Sequence, residues 1–501
     1  MTARAFRVPL AEPYNTRISA VNAADSTSGY IGVGIWGLFI WGKTTQASDK
    51  DSRYVNCFPH TVTDVITGKK RIFTVKRPGF GTQSTPASGQ QGYAILVWTG
   101  NGNAIISGFG ATNSTIYNGI TSLGAITGRV TWITETDING TATLAISSTN
   151  NTGWYVSGGG AVTEITDADW PGDTETITGT FAHLDGFAFI MTTRGRLWAS
   201  DINSITAWTA NNFGAVNTYP DQGVAAIRRG TFVMAFGTES LEFWYNAGLS
   251  PFPLARANAM TVKVGAVSAD AIARIADTIF WAGSTPEGGL SVFQYDGNLS
   301  RISTTEIDSA LLLAGASNIS LTTIRFYGLS FVLVRAGPLT YVYCVEEKMW
   351  HEWSSTTPLW YKCAAQSAGG TMVNYAVSDV STVGRVFLMN QASLVFTDNA
   401  VAYTARIQLP IIDLGTNKRK FWHDIELVGD RETTASAITL SYSDDDFQTY
   451  QTISPTGDLS TARVRWTRLG SSRRRGWVWT HAAATPMRLE AAEGNVTIGA
   501  S

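Results

Sequence analysis

The chain has 501 residues, of which 44% are apolar and only 15% charged, and its formal net charge is −2. This length accommodates two to four domains, and the near-neutral charge excludes a protein drawn to nucleic acid or anionic membranes by a global basic field. Cys57, Cys344 and Cys363 are too few and too widely spaced for a disulfide framework or a zinc site, which suits folding in a reducing cytoplasm.

Residues 1–80 are predicted to form an N-terminal β arm. The first residues carry early arginines but no apolar segment of the kind found in signal peptides. Residues 30–41, YIGVGIWGLFIW, are too short to span a bilayer and too glycine-broken for a helix. They favour buried strands or a flat contact between subunits, and we expect no membrane insertion. Residues 53–80 then predict two strands joined by a Thr-Gly-Lys-Lys turn.

Residues 81–400 are predicted to form a β-propeller of five to seven blades. A turn residue followed by a hydrophobic strand recurs at Gly186, Gly230, Asp277, Gly328 and Gly370, in steps of 42 to 51 residues. A period of about 40–50 residues with about four strands is typical of a propeller blade. Blades packed around an axis cover both faces of each thin sheet and leave only short edges. The strand after each turn is interpreted as the central strand of its blade.

Helical periodicity is rare in the sequence, and two short segments stand out. Residues 268–275, SADAIARI, and residues 306–314 are the candidates for helices. Residues 401–501 instead contain four alternating strands, which favour a separate C-terminal β-sandwich. The predicted fold class is therefore all-β, with an N-terminal β arm, a propeller and a C-terminal sandwich.

Both ends of the chain resemble one protein family. Residues 53–80 contain the motifs YVN, GKK and KRPGF, and residues 440–479 contain a hairpin followed by the basic, aromatic strand RVRWTRLG. These segments resemble the tail-hub proteins of short-tailed bacteriophages, also called packaged-DNA stabilisation or head-completion proteins. The positions that carry the N-terminal motif are Tyr54, Asn56, Arg77, Pro78 and Gly79.

The resemblance implies a structural protein of the virion tail that is assembled in the cytoplasm of the bacterial host. It implies a homo-oligomer, a hexameric ring that extends the channel of the portal and adaptor and retains packaged DNA. Such a ring binds the adaptor and anchors tailspike, fibre or needle proteins. Double-stranded DNA crosses it at ejection without sequence-specific contacts. The family supplies no catalytic motif, and we expect no enzymatic activity.

Motifs that would support catalysis or metal binding are not found. The five histidines are far apart, and no C-x-x-C, H-E-x-x-H, G-x-S-x-G or P-loop pattern occurs. We therefore expect no catalytic residue, cofactor or metal ion. Residues 443–450, SDDDFQTY, resemble the Asp-box turn S-x-D-x-G-x-T-W, with Phe447 at the glycine position and Tyr450 at the tryptophan position. A Ca²⁺ site at Asp444–Asp446 is the alternative to an ordinary solvated turn.

A basic and aromatic cluster near the C-terminus is the main candidate interaction site. Its arginines could contact DNA phosphates while its tryptophans stack on bases. Arginine and tryptophan are also preferred anchors of protein interfaces. The third interpretation is a sandwich strand with tryptophans in the core and arginines in solvent. The candidate residues are Arg463, Arg465, Trp466, Arg468, Arg473, Arg474, Arg475 and Trp477.

Two other functions remain open at this stage. A propeller-type carbohydrate-active enzyme would need paired carboxylates on the central strands, which the strands after the repeated turns lack. A carbohydrate- or receptor-binding module would need exposed tryptophans at loop tips. The tail hub is the function that the sequence favours.

Overall fold

The computed structural model describes residues 4–9, 53–63, 68, 70–138, 140–285, 288–354, 361–368, 371–378, 383–461 and 463–499. The predicted role of residues 30–41 therefore falls outside the described residues. The chain divides into two compact units. Unit 1 comprises Met1–Gly81, Tyr341–Pro358 and Ser393–Ser501, and unit 2 comprises Thr82–Thr340 and Leu359–Ala392.

Strands dominate the described part of the chain. The strands up to residue 336 are β1 (Arg4–Pro9), β2 (Arg53–Val55), β3 (Cys57–Thr63), β4 (Lys70–Lys76), β5 (Gly81–Ser84), β6 (Gly92–Trp98), β7 (Ala104–Phe109), β8 (Ser114–Asn118), β9 (Thr121–Ile126), β10 (Val130–Ile138), β11 (Thr141–Ser148), β12 (Gly153–Ser157), β13 (Thr163–Glu164), β14 (Ile177–Leu184), β15 (Phe187–Thr192), β16 (Arg196–Ser200), β17 (Trp208–Ala215), β18 (Gly223–Arg229), β19 (Phe232–Gly237), β20 (Leu241–Asn246), β21 (Leu254–Arg256), β22 (Ile272–Ile275), β23 (Thr278–Ser284), β24 (Leu290–Tyr295), β25 (Leu299–Arg301), β26 (Ile319–Phe326) and β27 (Leu329–Ala336). The remaining strands are β28 (Leu339–Cys344), β29 (Met349–Trp353), β30 (Tyr361–Ala368), β31 (Thr371–Ser378), β32 (Val386–Asn390), β33 (Thr397–Asp398), β34 (Val401–Ala402), β35 (Ala405–Gln408), β36 (Lys420–Gly429), β37 (Ala437–Ser443), β38 (Gln451–Thr452), β39 (Gly457–Asp458), β40 (Val464–Thr467), β41 (Ser471–Ser472), β42 (Gly476–His481) and β43 (Arg488–Ile498). The helices are α1 (Pro171–Thr174) and α2 (Thr305–Ala314).

Unit 2 is a β-propeller, as predicted. Five of its antiparallel sheets are consecutive four-stranded meanders that run from β6 to β25, and a sixth joins β30, β31 and β32 to β5. The hairpin of β26 and β27 also belongs to this unit, and the predicted number of blades stays a prediction. β5 comes from the start of the unit and β32 from its end. Their shared sheet therefore holds both ends of the unit together.

The innermost strand of each blade is the strand that precedes the repeated turn. β6, β10, β14, β18, β22, β26 and β30 lie around a central cavity and pack against their neighbours in the ring. The interpretation that the strand after each turn is central was therefore wrong, because those strands, such as β15 and β19, are second in their blades. The turn and strand pattern marks a hairpin, but it does not indicate which of its two strands faces the axis.

Apolar faces of neighbouring blades pack on each other. Phe236 of one blade meets Trp281 of the next with ring centroids 5.4 Å apart in an edge-to-face geometry. Both side chains are fully buried. Hydrogen bonds between innermost strands also fix the alignment of neighbouring blades. The Ala226 N–H of β18, for example, donates to Thr180 Oγ1 of β14 at 2.7 Å. Each sheet alone is too thin to bury both faces, so the packing of blades supplies the core.

One of the two predicted helices exists. α2 begins after Thr304, whose side chain accepts a hydrogen bond from the Ile307 N–H, and it has Glu306 and Asp308 in its first turn. The predicted helix at residues 268–275 was wrong. Ala269–Ala271 form a single 3-10 turn, and the next four residues form β22, the innermost strand of a blade. Pairing of β22 with β23 overrides the weak helical preference of so short a segment.

Unit 1 contains two larger sheets. In the first, the order is β3-β4-β43-β36-β40, with β1 also on β43 and β41 on β36. In the second, β29, β2, β35, β42, β37 and β38 follow one another. Trp422 and Trp466 from the first sheet and Trp477 and Trp479 from the second lie in a single buried core. The predicted C-terminal β-sandwich and its boundaries stay a prediction.

In the part of the chain that the structure describes, no helix is both long enough and apolar enough to cross a membrane.

Candidate functional site

The N-terminal motif residue Arg77 lies at the centre of a buried cluster in unit 1. Its guanidinium donates to both carboxylate oxygens of Asp398, at 3.1 and 2.5 Å, and Nε donates to Asn56 Oδ1 at 2.8 Å. The side chains of Arg77 and Asp398 are 2% and 1% exposed. A bidentate geometry of this kind suits the planar fork of arginine and not the point charge of lysine.

Two aromatic rings enclose the Arg77 guanidinium. The ring of Tyr403 is centred 3.9 Å from the guanidinium carbon and that of Trp353 is centred 4.5 Å from it. The hydroxyl of Tyr403 also donates to the Arg77 carbonyl. The rings exclude water and attract the cation through their π faces. We call Arg77, Asp398, Asn56, Trp353 and Tyr403 the Arg77 cluster.

Asn56 joins this cluster to two distant segments. Its side-chain amide donates to the Thr404 carbonyl at 2.7 Å and to Ser354 Oγ at 3.2 Å, while its Oδ1 accepts from the Ser354 N–H at 3.0 Å. Its backbone has φ of 55°, a left-handed conformation that asparagine tolerates better than most residues. The asparagine of the YVN motif therefore turns the chain and fastens it at the same point.

The other motif residues support the same junction. Tyr54 is fully buried in the unit 1 core, and the Pro78 carbonyl accepts from the Arg77 guanidinium at 3.1 Å. Gly79 lies so close to another segment that a Cβ atom would sit 2.2 Å from the Thr397 carbonyl oxygen. The structure thus brings all five motif residues into one region and adds Asp398, Trp353 and Tyr403, which sequence reasoning missed. The cluster holds chain segments together and contains no arrangement of a nucleophile and a base.

A serine and a histidine elsewhere in unit 1 lie as close together as a catalytic pair, but the imidazole hydrogen is on the nitrogen that faces the serine. His481 Nε2 lies 2.8 Å from Ser436 Oγ, and His481 Nδ1 lies 3.4 Å from Lys76 Nζ. Because an ammonium only donates, Nδ1 accepts and Nε2 carries the hydrogen that points at the serine. Burial and the neighbouring Lys76 charge lower the pKa of His481 to about 3. In this tautomer the imidazole cannot remove the serine proton, so the contact is a structural hydrogen bond.

The C-terminal arginines are matched by carboxylates of the same unit. Arg463 lies 3.1 Å from Glu426, and Arg465 lies 2.9 Å from Asp424. Hydrogen bonding to Asp424 and the charge of that carboxylate raise the pKa of Arg465. Arg465 lies in β40 and Arg463 directly precedes it, and the carboxylates of both pairs lie on β36, which pairs with β40. Their charge is therefore partly neutralised within the fold.

Arg474 and Arg475 pair with the neighbouring acidic turn. Arg474 lies 2.9 Å from Asp446, and Arg475 contacts both oxygens of Asp444 at 2.7 Å. The Arg475 side chain is 1% exposed and lies 3.8 Å from the centre of the Tyr442 ring. It is part of the interior of unit 1.

The remaining candidates of the basic cluster divide between surface and core. Arg468 and Arg473 are exposed, whereas Trp466 is 2% exposed and Trp477 is fully buried. Trp466 Nε1 donates to the Pro455 carbonyl at 2.9 Å. Because both tryptophans lie in the core, they are not available for stacking on bases. Whether the exposed arginines meet DNA, a partner protein or solvent stays a prediction.

The acidic segment at residues 443–450 forms the hydrogen bonds of an Asp-box-like turn. Asp445 accepts from the Thr449 N–H and hydroxyl at 2.9 and 2.5 Å and from Ser443 Oγ at 2.8 Å. These hydrogen bonds lower the pKa of Asp445 to about 2. Phe447, at the glycine position, has φ of 63° and is buried, with its ring over Gly476. Among the described residues, no group of three or more His, Cys, Asp or Glu side chains is placed to hold a metal ion.

The cavity of unit 2 carries charged side chains that the sequence pattern did not place there. It has a volume of about 980 Å³ and is lined by Glu135, Asp137, His183, Arg228 and Arg274, among others. The expectation that the central strands lack acidic residues was wrong, because β10 is central and carries the first two. Both oxygens of the Glu135 carboxylate, however, accept hydrogen bonds from the segment that follows β6. A glycosidase needs two carboxylates that can both reach the substrate.

The family of the chain is decided by its match to a family model. The model described as bacteriophage P22 Gp10, β-propeller, matches residues 52–368. This chain belongs to that family. It is therefore a structural protein of a phage virion, from a family that stabilises packaged DNA, and the match includes the Asn56 and Arg77 motif and most of the propeller.

Other comparisons add similarity of limited extent. No curated protein matches the chain. Raptor from Chaetomium thermophilum is similar at 10% identity and a TM-score of 0.39, over 68% of this chain and 29% of that one. BamB from Moraxella catarrhalis is similar at 10% identity and a TM-score of 0.36, over 63% of this chain and 90% of that one. The chain thus spans less than a third of the Raptor chain.

Proposed function

We propose that this chain is the subunit of a tail hub, a hexameric ring that continues the channel of the portal and adaptor. The ring retains the packaged genome, anchors tailspikes, fibres or a needle, and lets double-stranded DNA pass at ejection. The observation that carries the proposal is the family match over residues 52–368. The two terminal motifs support the same family from the sequence alone.

The charge distribution supports a passive role toward DNA. A protein that grips DNA presents arginines and lysines with no acidic partner, because each phosphate contact adds affinity. In this chain Arg463, Arg465, Arg474 and Arg475 each face a carboxylate of the same chain. A channel protein with neutralised arginines would let DNA slide without holding it.

Retention of packaged DNA is the property that tests the proposal. In the phage that encodes the chain, we expect heads assembled without it to package DNA and then lose it. Purified protein added to such heads should restore the fraction that keeps its DNA through nuclease treatment. Asp398→Asn, which removes the carboxylate of the Arg77 cluster, should restore less retention, whereas the matched control Asp430→Asn, which changes an exposed ion pair, should restore as much as the unchanged protein. Heads that keep their DNA without the chain would contradict the proposal.

A further inference from the structure

The edge of β43 in unit 1 is completed by a strand from the start of the chain. β36 pairs along one edge of β43, from Lys420 opposite Ile498 to Gly429 opposite Leu489. On the other edge β4 reaches only residues 488 and 489. Residues 491–496 of that edge pair with β1, from Pro9 opposite Ala491 to Arg4 opposite Val496.

This stretch of β43 needs a partner strand. An open edge presents unpaired N–H and C=O groups, which act as a template for another strand. Ala491, Ala492 and Val496 are at most 1% exposed, and the last two belong to the unit 1 core. The pairing partner of residues 491–496 therefore protects both the sheet edge and part of the core.

The connection from β1 to the rest of the chain is far longer than a hairpin. Pro9 and Arg53 are separated by 43 residues, whereas neighbouring antiparallel strands are usually joined by about two to five. A chain of that length spans up to about 140 Å when extended, more than the diameter of a protein of this size. The connection therefore does not force β1 back onto the sheet of its own chain.

We propose that β1 is exchanged between neighbouring subunits, so that β1 of one copy pairs with β43 of the next. Because every copy of the chain presents the same β43 edge, β1 can form the same main-chain hydrogen bonds with β43 of a neighbouring copy, in the same register. This inference rests on the proposed ring, which keeps a neighbouring β43 within reach. Each subunit then gives one strand and receives one, and six residues of backbone pairing link each adjacent pair.

Disulfide trapping between two differently tagged chains tests the exchange. Arg7 of β1 lies directly opposite Glu493 of β43, and opposite residues of an antiparallel pair have Cα atoms about 4.5–5.5 Å apart, within disulfide range. One chain carries Arg7→Cys and the other carries Glu493→Cys, and the two are co-expressed and oxidised. Exchange predicts a covalent dimer that contains both tags. In a single chain with both substitutions it predicts a ladder of covalent oligomers.

A second pair that shares Glu493→Cys is the control. Glu426 of β36 also lies opposite Glu493, within one chain. Glu426→Cys and Glu493→Cys should form a bond inside one chain and no dimer between tagged chains. A dimer that carries both tags and forms from this control pair would show that chains are cross-linked by random collision, and it would overturn the exchange. Wild-type protein gives the background from the natural cysteines.

The results separate the exchange from the ring itself. Bonds confined to single chains, or no bond between positions 7 and 493, would overturn the exchange. The mass of the native assembly is read independently for each variant. An intact ring with bonds inside single chains would leave the tail hub standing without the exchange. A monomer in every preparation would remove the proposed function.

Discussion

Arg77 and Asp398 show what a sequence motif can and cannot disclose about a buried site. Resemblance at residues 53–80 singled out Arg77 and Asn56, and both lie in the same buried cluster. Asp398 follows Arg77 by 321 residues, and no spacing rule connects them. A carboxylate in a weakly patterned segment gives no signal until the fold brings it to its partner.

Loss of the Asp398 charge should strongly destabilise unit 1. Asp398→Asn removes the carboxylate that pairs with the buried Arg77 guanidinium, so we expect a loss of about 3–5 kcal/mol in the free energy of unfolding. Urea denaturation followed by tryptophan fluorescence measures the change. The double variant Arg77→Met with Asp398→Leu should lose less than the sum of the single changes, because it leaves no unpaired charge.

An exposed ion pair of the same unit is the matched control. Asp430 and Arg488 lie 3.0 Å apart, with side chains 52% and 36% exposed. Asp430→Asn should change stability by less than about 1 kcal/mol, since solvent screens the pair. Equal losses from Asp398→Asn and Asp430→Asn would show that the Arg77 cluster is not a buried junction between chain segments.

Two buried histidines should make the protein sensitive to mild acid. Burial lowers the pKa of His351 to about 3, and burial with the Lys76 charge lowers that of His481 to about 3. The unfolded chain binds protons at a pKa of about 6.5, so its histidines charge first as the pH falls. Stability is therefore lost from about pH 6.5 down towards pH 3, by about 1.4 kcal/mol per pH unit for each histidine.

The slope of stability against pH checks this directly. In a variant with His351→Gln and His481→Gln, unfolding should take up about two fewer protons between pH 6.5 and 5. The slope of stability against pH should be shallower by that amount, whatever the stability of the variant at neutral pH. Urea midpoints measured across this range give the slope. An unchanged slope would mean that other groups cause the acid sensitivity.

Among the secondary-structure elements, the sequence succeeded where a local signal existed. α2 carries a threonine cap and acidic residues in its first turn, and its predicted range of 306–314 matches Thr305–Ala314. Residues 268–275 have similar composition but become a turn and a strand, because β22 pairs with β23 in a blade. A segment of eight residues has too little intrinsic preference to resist such pairing.

The Asp-box-like turn allows burial and backbone strain to be weighed against each other. Phe447→Gly would relieve the left-handed φ of 63°, worth about 1–2 kcal/mol. It would also remove a buried aromatic side chain, which costs about 3–5 kcal/mol. The loss of burial is the larger effect, so we expect the free energy of unfolding to fall by about 2 kcal/mol. Urea denaturation measures the change.

The neighbouring Asp446 is the control for backbone strain alone. It also has a left-handed φ, of 60°, and it forms a partly exposed ion pair with Arg474. Asp446→Gly should therefore change stability by less than about 1 kcal/mol, because the relieved strain offsets the lost pair. A gain in stability from Phe447→Gly would show that strain and not burial dominates this turn.

For the whole molecule, the repeat period predicted the architecture and the ends predicted the family. Steps of 42 to 51 residues predicted the propeller of unit 2. Which strand faces the axis was not predictable, because both strands of a hairpin are apolar and share one turn. Nor did the sequence disclose that unit 1 is built from three separate segments, because residues 341–353 continue the strand pattern of the preceding residues without a break.

The mass and symmetry of the native assembly test the central claim, that this propeller chain works as a ring subunit of a phage tail. Cryo-EM and mass photometry of the purified protein, alone and with its portal and adaptor, provide the measurement. We predict a six-fold ring of 54.0 kDa chains coaxial with the adaptor channel. A 54.0 kDa monomer that stays monomeric and never joins the portal and adaptor would contradict it.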